Sequence, residues 1–158
     1  EPERGVLASV LHSQGRFARE LWLEVPIATM RGRIDPQMIA EGRHYPQMNG
    51  SVVFKHATRR FCEAIVEVLE RGGVEAADVA WIVPHQANQR ITDAVAQRLG
   101  FGPERVVSNI ARYGNTTAAS IPIALAEAAA DGRIQRGDLV VTVAFGSGFT
   151  WGANLIRW

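Results

Sequence analysis

From Val52 to Arg71 the apolar positions Phe54, Ala57, Phe61, Ile65, Val68 and Leu69 recur every three or four residues. That spacing predicts a helix with one buried stripe, stopped by Gly72-Gly73. Gln89 to Leu99 repeats the pattern with Ile91, Ala94, Val95 and Leu99, closed by Gly100. Between them Val79 to Val83 is a short unbroken apolar run and reads as a buried strand. Arg105 to Asn109 offers another strand, and the alanine- and leucine-rich stretch Ala118 to Asp131 another helix, ending at Gly132. Ser120 as its cap would place Pro122 in the first turn, where proline is tolerated, whereas a helix begun at Thr116 would be kinked by it. Leu139 to Phe145 is continuously apolar, as in a strand covered on both faces. Thr150 to Trp158 alternates and should pair beside it through the Gly146-Ser147-Gly148 turn.

Upstream, Gly5 to His12 and Phe17 to Val25 are two runs joined by the polar Ser13-Gln14-Gly15-Arg16, and they read as a hairpin. Met30 to Gly50 lacks a period, contains glycines and prolines, and reads as a long surface loop. The order is hairpin, loop, helix, then βαβαββ. The expected fold class is therefore α/β, a mixed and mostly parallel sheet with helices on both faces.

With 158 residues, 47% of them hydrophobic, the default is one domain around one core. A formal charge of +1, with 17 basic and 16 acidic residues interspersed, gives no footprint for nucleic acid or an anionic membrane surface. No apolar run approaches the roughly 18 residues that span a bilayer. Glu1-Pro2-Glu3-Arg4-Gly5 is neither a signal peptide nor a natural start, so a chain truncated at its beginning is expected. Cys62 is the only cysteine, which excludes an internal disulfide and a multi-cysteine metal site and fits a reducing cytoplasm. His12, His44 and His56 have no metal-ligand spacing, so no metal is expected.

The chemistry concentrates in two segments. Ile82-Val83-Pro84-His85-Gln86-Ala87-Asn88 and Tyr113-Gly114-Asn115-Thr116-Thr117-Ala118-Ala119-Ser120 each place a neutral hydrogen-bond donor, His85 or Asn115, between an apolar run and a helical pattern. Such junctions collect at one edge of an open α/β sheet. A lone histidine is more often structural than catalytic, and a lone asparagine is more often a cap. Together, His85 and Asn115 form a pair of neutral donors able to hold one carbonyl oxygen as it becomes an enolate. A backbone N–H of the 146–148 turn is available to a second oxyanion. Gly146 to Gly152 leads into a strand and is no dinucleotide fingerprint, and Ser147 lacks the nucleophile-elbow pattern. Cys62 lies in mid-helix among apolar neighbours and reads as a buried, inert thiol.

Taken in order, Pro84-His85-Gln86-Ala87-Asn88-Gln89-Arg90-Ile91, Tyr113-Gly114-Asn115-Thr116-Thr117-Ala118-Ala119-Ser120-Ile121-Pro122 and Phe145-Gly146-Ser147-Gly148-Phe149-Thr150-Trp151-Gly152 resemble the C-terminal half of β-ketoacyl-acyl-carrier-protein synthase III, a thiolase-fold condensing enzyme. Met48 to Lys55 adds a weaker fourth match. The resemblance implies that residues 1–158 are one thiolase-like domain and that an N-terminal half carries the nucleophilic cysteine. It implies condensation of an acyl-CoA, acetyl-CoA foremost, with malonyl-acyl carrier protein in fatty acid synthesis. CoA thioester and carrier protein would be substrate and partner, with no resident cofactor, in a cytoplasmic homodimer.

By the same resemblance His85 and Asn115 donate to the malonyl thioester oxygen, and the Ser147 N–H serves the oxyanion hole. Gly50, Ser51, Phe54, Ala87, Asn88 and Phe145 would line the pantetheine path. Lys55, Gln86, Ala87, Asn88, Gln89 and Arg90 would meet the acidic carrier protein by charge complementarity. Two departures stand out: Ser147 occupies a position where the family usually has glycine, and Ser51 replaces a frequent asparagine. Two other readings remain open: a synthase-III-like acyltransferase of specialised metabolism, and a noncatalytic half that binds carrier protein.

Overall fold

The apolar run 139–146 lies at the middle of the sheet, where both its faces are covered. The computed structural model describes residues 4–27, 30 and 32–158. Glu1, Pro2 and Glu3 of the expected truncated start, and Arg31 of the expected loop, lie outside them. In chain order the elements are β1 (Gly5–Ser13), a 3-10 helix (Gly15–Glu20), β2 (Leu21–Trp22), α1 (Pro36–Ala40), β3 (Gln47–Met48) and α2 (Gly50–Gly72). Then come β4 (Val79–Pro84), α3 (Gln89–Leu99), α4 (Ile110–Tyr113), α5 (Ser120–Ala130), β5 (Leu139–Gly146) and β6 (Thr150–Arg157).

The main sheet has the order β1-β6-β5-β4. β5 runs parallel to β4, with Pro84 opposite Val143, and antiparallel to β6, with Phe145 opposite Trp151. Alternation along β5 decides which layer each residue joins. Val141, Val143 and Phe145 face α2 and α3, packing with Phe61, Ile65 and Ile91. Val140 faces the opposite layer with Val83, Val107 and the α5 residues Ala124 and Ala128. Small alanines let α5 lie close to the sheet. α2 is the helix its periodicity predicts: Asn49 Oδ1 caps it by accepting from the Val52 N–H at 3.4 Å, and Gly73 ends it in the left-handed region.

Mixed α/β architecture with helices on both faces is present, but only one of the three pairings in the main sheet is parallel. The alternating elements suggested more. The expected hairpin does not form. β1 instead pairs antiparallel with β6, Val10 opposite Ala153, while residues 15–20 coil into a 3-10 turn. Of the run Phe17 to Val25 only Leu21 and Trp22 form a strand, and they pair with Met48 and Gln47. The expected loop 30–50 therefore holds α1 and one strand of a small second sheet. Arg105 to Asn109 makes a single bridge, Val106 to Ile82, with the Val107 N–H donating to Ile82 O at 2.9 Å, before the chain turns into α4.

Gly152 of β6 shows how tightly β1 is laid on. A Cβ there would sit 2.6 Å from Val10 O and 3.3 Å from Leu11 Cδ1. Gly152→Ala should destabilise the full-length protein by about 1–3 kcal/mol through this overpacking, seen as a lower urea midpoint at unchanged slope.

Candidate active site

His85 is the first residue beyond β4, and its backbone is still tied to the sheet. Its N–H donates to Val143 O at 2.8 Å, and its carbonyl accepts from the Ala87 N–H at 3.0 Å. The imidazole is half-buried and reaches across to the start of α5, where its Nδ1 lies 2.6 Å from Ser120 Oγ. Ser120 Oγ also accepts from the Gln86 N–H at 3.3 Å. Burial holds the His85 pKa below the ordinary 6.5, because the charged ring would lose solvation. At neutral pH the ring is an uncharged donor. Ser120 is therefore no helix cap as the sequence suggested; Ala119 stands in the cap position and makes no side-chain cap bond.

The short helix that precedes Asn115 is held by Glu127 of α5. That carboxylate accepts from Asn109 Nδ2 (2.8 Å), Arg112 Nη2 (2.8 Å) and Tyr113 Oη (2.5 Å), so one side chain pins both ends of α4. The bonds from Asn109 and then Tyr113 keep the Glu127 carboxyl below the usual carboxylate range. Two residues beyond the clamp, Asn115 Oδ1 accepts from the Thr117 N–H at 2.9 Å. The Asn115 NH2 is thereby left as the donor. Thr117 itself has φ 52, a left-handed conformation disfavoured for a β-branched residue. Such backbone is found where the surroundings dictate it, commonly at ligand sites.

Ser147 stands in the tight connection from β5 to β6. Its carbonyl accepts from Thr150 Oγ1 at 2.9 Å. Gly148, at φ +128, follows it, and a Cβ there would meet Thr150 Cγ2 at 2.9 Å. The connection is anchored by Phe149, which is fully buried beside Phe145 (4.8 Å between ring centroids), Phe17 and His56 (5.4 Å each). Its backbone also exchanges two hydrogen bonds with Gln14, at 2.7 and 3.3 Å.

Two cavities meet at these residues. The wider, about 680 Å³, is bordered by His85, Asn115, Thr117, Phe145, Ser147 and Trp151 among others. The narrower, about 290 Å³, has Gly50, Phe54, Ala87 and Asn88 on its walls. His85, Asn115, Phe145 and Gly146 border both, so the two donors stand where the cavities join. Lys55, Gln89 and Arg90 are exposed, with the Arg90 guanidinium 5.6 Å from the Phe54 ring centroid.

Two sequence-based placements need correction. Ser51 is not on the wall of the narrow cavity; its exposed hydroxyl donates to Asn49 Oδ1 at 3.0 Å. Gln86 is 3% exposed, and its amide is used internally, donating to Pro84 O (2.8 Å) and Val107 O (3.3 Å) and accepting from the Asn109 N–H (3.0 Å). It is a brace between β4 and α4, out of reach of a partner. Sequence reasoning gave Ser120, Glu127 and Thr117 no role in the site, although Thr117 and Ser120 lie within the Tyr113 to Ser120 segment that it singled out. Cys62 is buried, and burial raises its thiol pKa, as befits an inert core residue. Among the described residues no three His, Cys, Asp or Glu side chains gather as metal ligands.

A mixed sheet layered between helices, with polar groups converging beyond the ends of its strands, defines a thiolase-like half. Residues 69–158 match the family described as 3-oxoacyl-[acyl-carrier-protein] synthase III C terminal, and the chain belongs to that family. It is 50% identical over 155 residues to a β-ketoacyl-[acyl-carrier-protein] synthase III of Symbiobacterium thermophilum, covering 98% of this chain and 46% of that protein. Against the synthase III of Rhodobacter capsulatus the identity is 45% over 156 residues, 99% and 45% of the two chains. The crystal structure of 3-oxoacyl-[acyl-carrier-protein] synthase III from Aquifex aeolicus superposes with a TM-score of 0.86 at 39% identity, covering 99% of this chain and 45% of that one. The Thermus thermophilus enzyme gives 0.87 at 40%, covering 100% and 47%. The chain thus spans about half the length of the relatives it matches.

The His85 ring should remain neutral as the pH falls through 6.5, whereas the unfolded chain takes up its proton there. Folded stability then declines on acidification, since the unfolded state binds the extra proton; NMR titration of the His85 ring would show the delayed protonation. Glu127→Ala should release Asn109, Arg112 and Tyr113 together, so hydrogen exchange across 109–115 should quicken severalfold while exchange in α2 stays unchanged.

Proposed function

We propose that the complete protein carrying this chain is a β-ketoacyl-acyl-carrier-protein synthase III. It would condense an acyl-CoA, acetyl-CoA foremost, with malonyl-acyl carrier protein to give 3-oxoacyl-acyl carrier protein, as a homodimer in the cytoplasm. The observation that carries this reading is the placement of two uncharged donors, His85 and Asn115, at the junction of both cavities.

In the proposed reaction the acyl group is first held as a thioester on a cysteine from the remainder of the protein. The malonyl arm enters by the narrow cavity, whose mostly apolar wall of Leu21, Val53, Phe54 and Ile91 suits a slender chain. The bond from malonyl C2 to its carboxylate breaks, CO2 leaves, and the electron pair passes into an enolate with its charge on the thioester oxygen. His85 Nε2–H and Asn115 NH2 donate to that oxygen. Because both are neutral, they favour the charge that develops in the transition state over the malonyl carboxylate already present in the ground state. The enolate carbon attacks the acyl thioester carbonyl and forms the new carbon–carbon bond. The resulting oxyanion accepts from the Ser147 N–H, then collapses with loss of the cysteine thiolate, which takes up a proton.

Exposed Lys55 and Arg90 lie beside the narrow cavity and suit an acidic carrier protein, as do Gln89, Ala87 and Asn88 as uncharged neighbours. The wider cavity leaves room for the acyl group, and Phe145 borders both. His85→Ala and Asn115→Ala in the full-length protein should each lower malonyl decarboxylation by roughly 10²–10³-fold with little change in the unfolding midpoint. Undiminished turnover in either variant would remove the proposal's foundation.

A further inference from the structure

We propose that Ser120 is a positioning residue that fixes the tautomer of His85, holding the ring proton on Nε2 where it faces the cavities. The inference rests on the reading of His85 as a hydrogen-bond donor.

It follows from the directions of the bonds around one buried hydroxyl. Ser120 is 2% exposed, so its proton must find an acceptor inside the protein. Its oxygen has two partners among the described residues, the Gln86 N–H at 3.3 Å and His85 Nδ1 at 2.6 Å. A backbone N–H only donates, so Gln86 takes one of the oxygen's acceptor positions. If Nδ1 also carried a proton, Ser120 Oγ would receive two N–H groups and its own hydrogen would point at no acceptor. With Nδ1 bare, the hydroxyl donates to it and every polar atom of the group is satisfied.

The chain of donation then runs from Gln86 N–H to Ser120 Oγ and from Ser120 O–H to His85 Nδ1. The imidazole proton is left on Nε2. Both anchors of this relay are rigid: Gln86 is fixed by the bonds of its side chain to Pro84, Val107 and Asn109. Ser120 begins α5, with its own N–H donating to Thr117 O. Gln86 thus has a use after all, through its backbone and its rigidity.

The test is 15N NMR of the ring nitrogens in the full-length protein at neutral pH, with His85→Gln identifying the signals. The unsubstituted protein should show a protonated Nε2 and a bare Nδ1 at His85. Ser120→Ala should convert this into a mixture of both tautomers and lower malonyl decarboxylation roughly ten- to a hundredfold, with KM little changed. Ser120→Thr, which keeps the hydroxyl, should restore the single tautomer. A protonated Nδ1 in the unsubstituted protein overturns the inference, as does a Ser120→Ala spectrum identical to the original. A mixed tautomer with undiminished decarboxylation upholds Ser120 as the selector and instead defeats the donor role of His85.

Discussion

The register of β5 is the constraint from which the site follows. Its pairing with β4 sets Val143 O where it receives the His85 N–H, and its pairing with β6 sets the length of the connection that carries Ser147. Slipping β5 by one residue would exchange its two faces, sending Val140 toward α2 and Val141 toward α5. The burial of Val140, Val141 and Val143, each at most 1% exposed, makes that exchange costly. Packing far from any ligand thus decides where two of the three proposed hydrogen-bond donors stand.

Each of the three is held by a different device. His85 is fixed through its ring, Asn115 through its own Oδ1, which accepts from the Thr117 N–H, and Ser147 through the hydrophobic packing of its neighbour Phe149. Charge is kept at the periphery of this arrangement: Glu127 is consumed by Asn109, Arg112 and Tyr113, while Arg60 stacks on Trp151 at 4.5 Å and pairs with Glu63. The junction of the cavities is left to neutral groups.

Much of this was legible in the sequence wherever burial imposed a period. The stripe through Phe61, Ile65 and Val68 gave α2, the apolar run 139–145 gave β5, and the motifs around His85 and Asn115 marked the two junctions. What failed was long-range or supplied from outside the segment. The residues of β1 have strand character, but their partner lies at the opposite end of the chain, and the nearer run 17–25 offered a false local match. Strand propensity reports a fit to a pleated surface, not the identity of the neighbour. Val106 and Val107 look like a strand yet, among the described residues, pair only with Ile82. The local context of Ser120 allows a cap, whereas its hydroxyl answers to a histidine 35 positions away.

α5 serves both side-chain donors at once. Ser120 and Glu127 are about two turns apart on this helix, so they emerge on nearly the same side of it. One steadies the imidazole, the other the segment before the carboxamide. α5 is therefore a shared support: displacing this one helix from the sheet would loosen the imidazole and the segment before the carboxamide together.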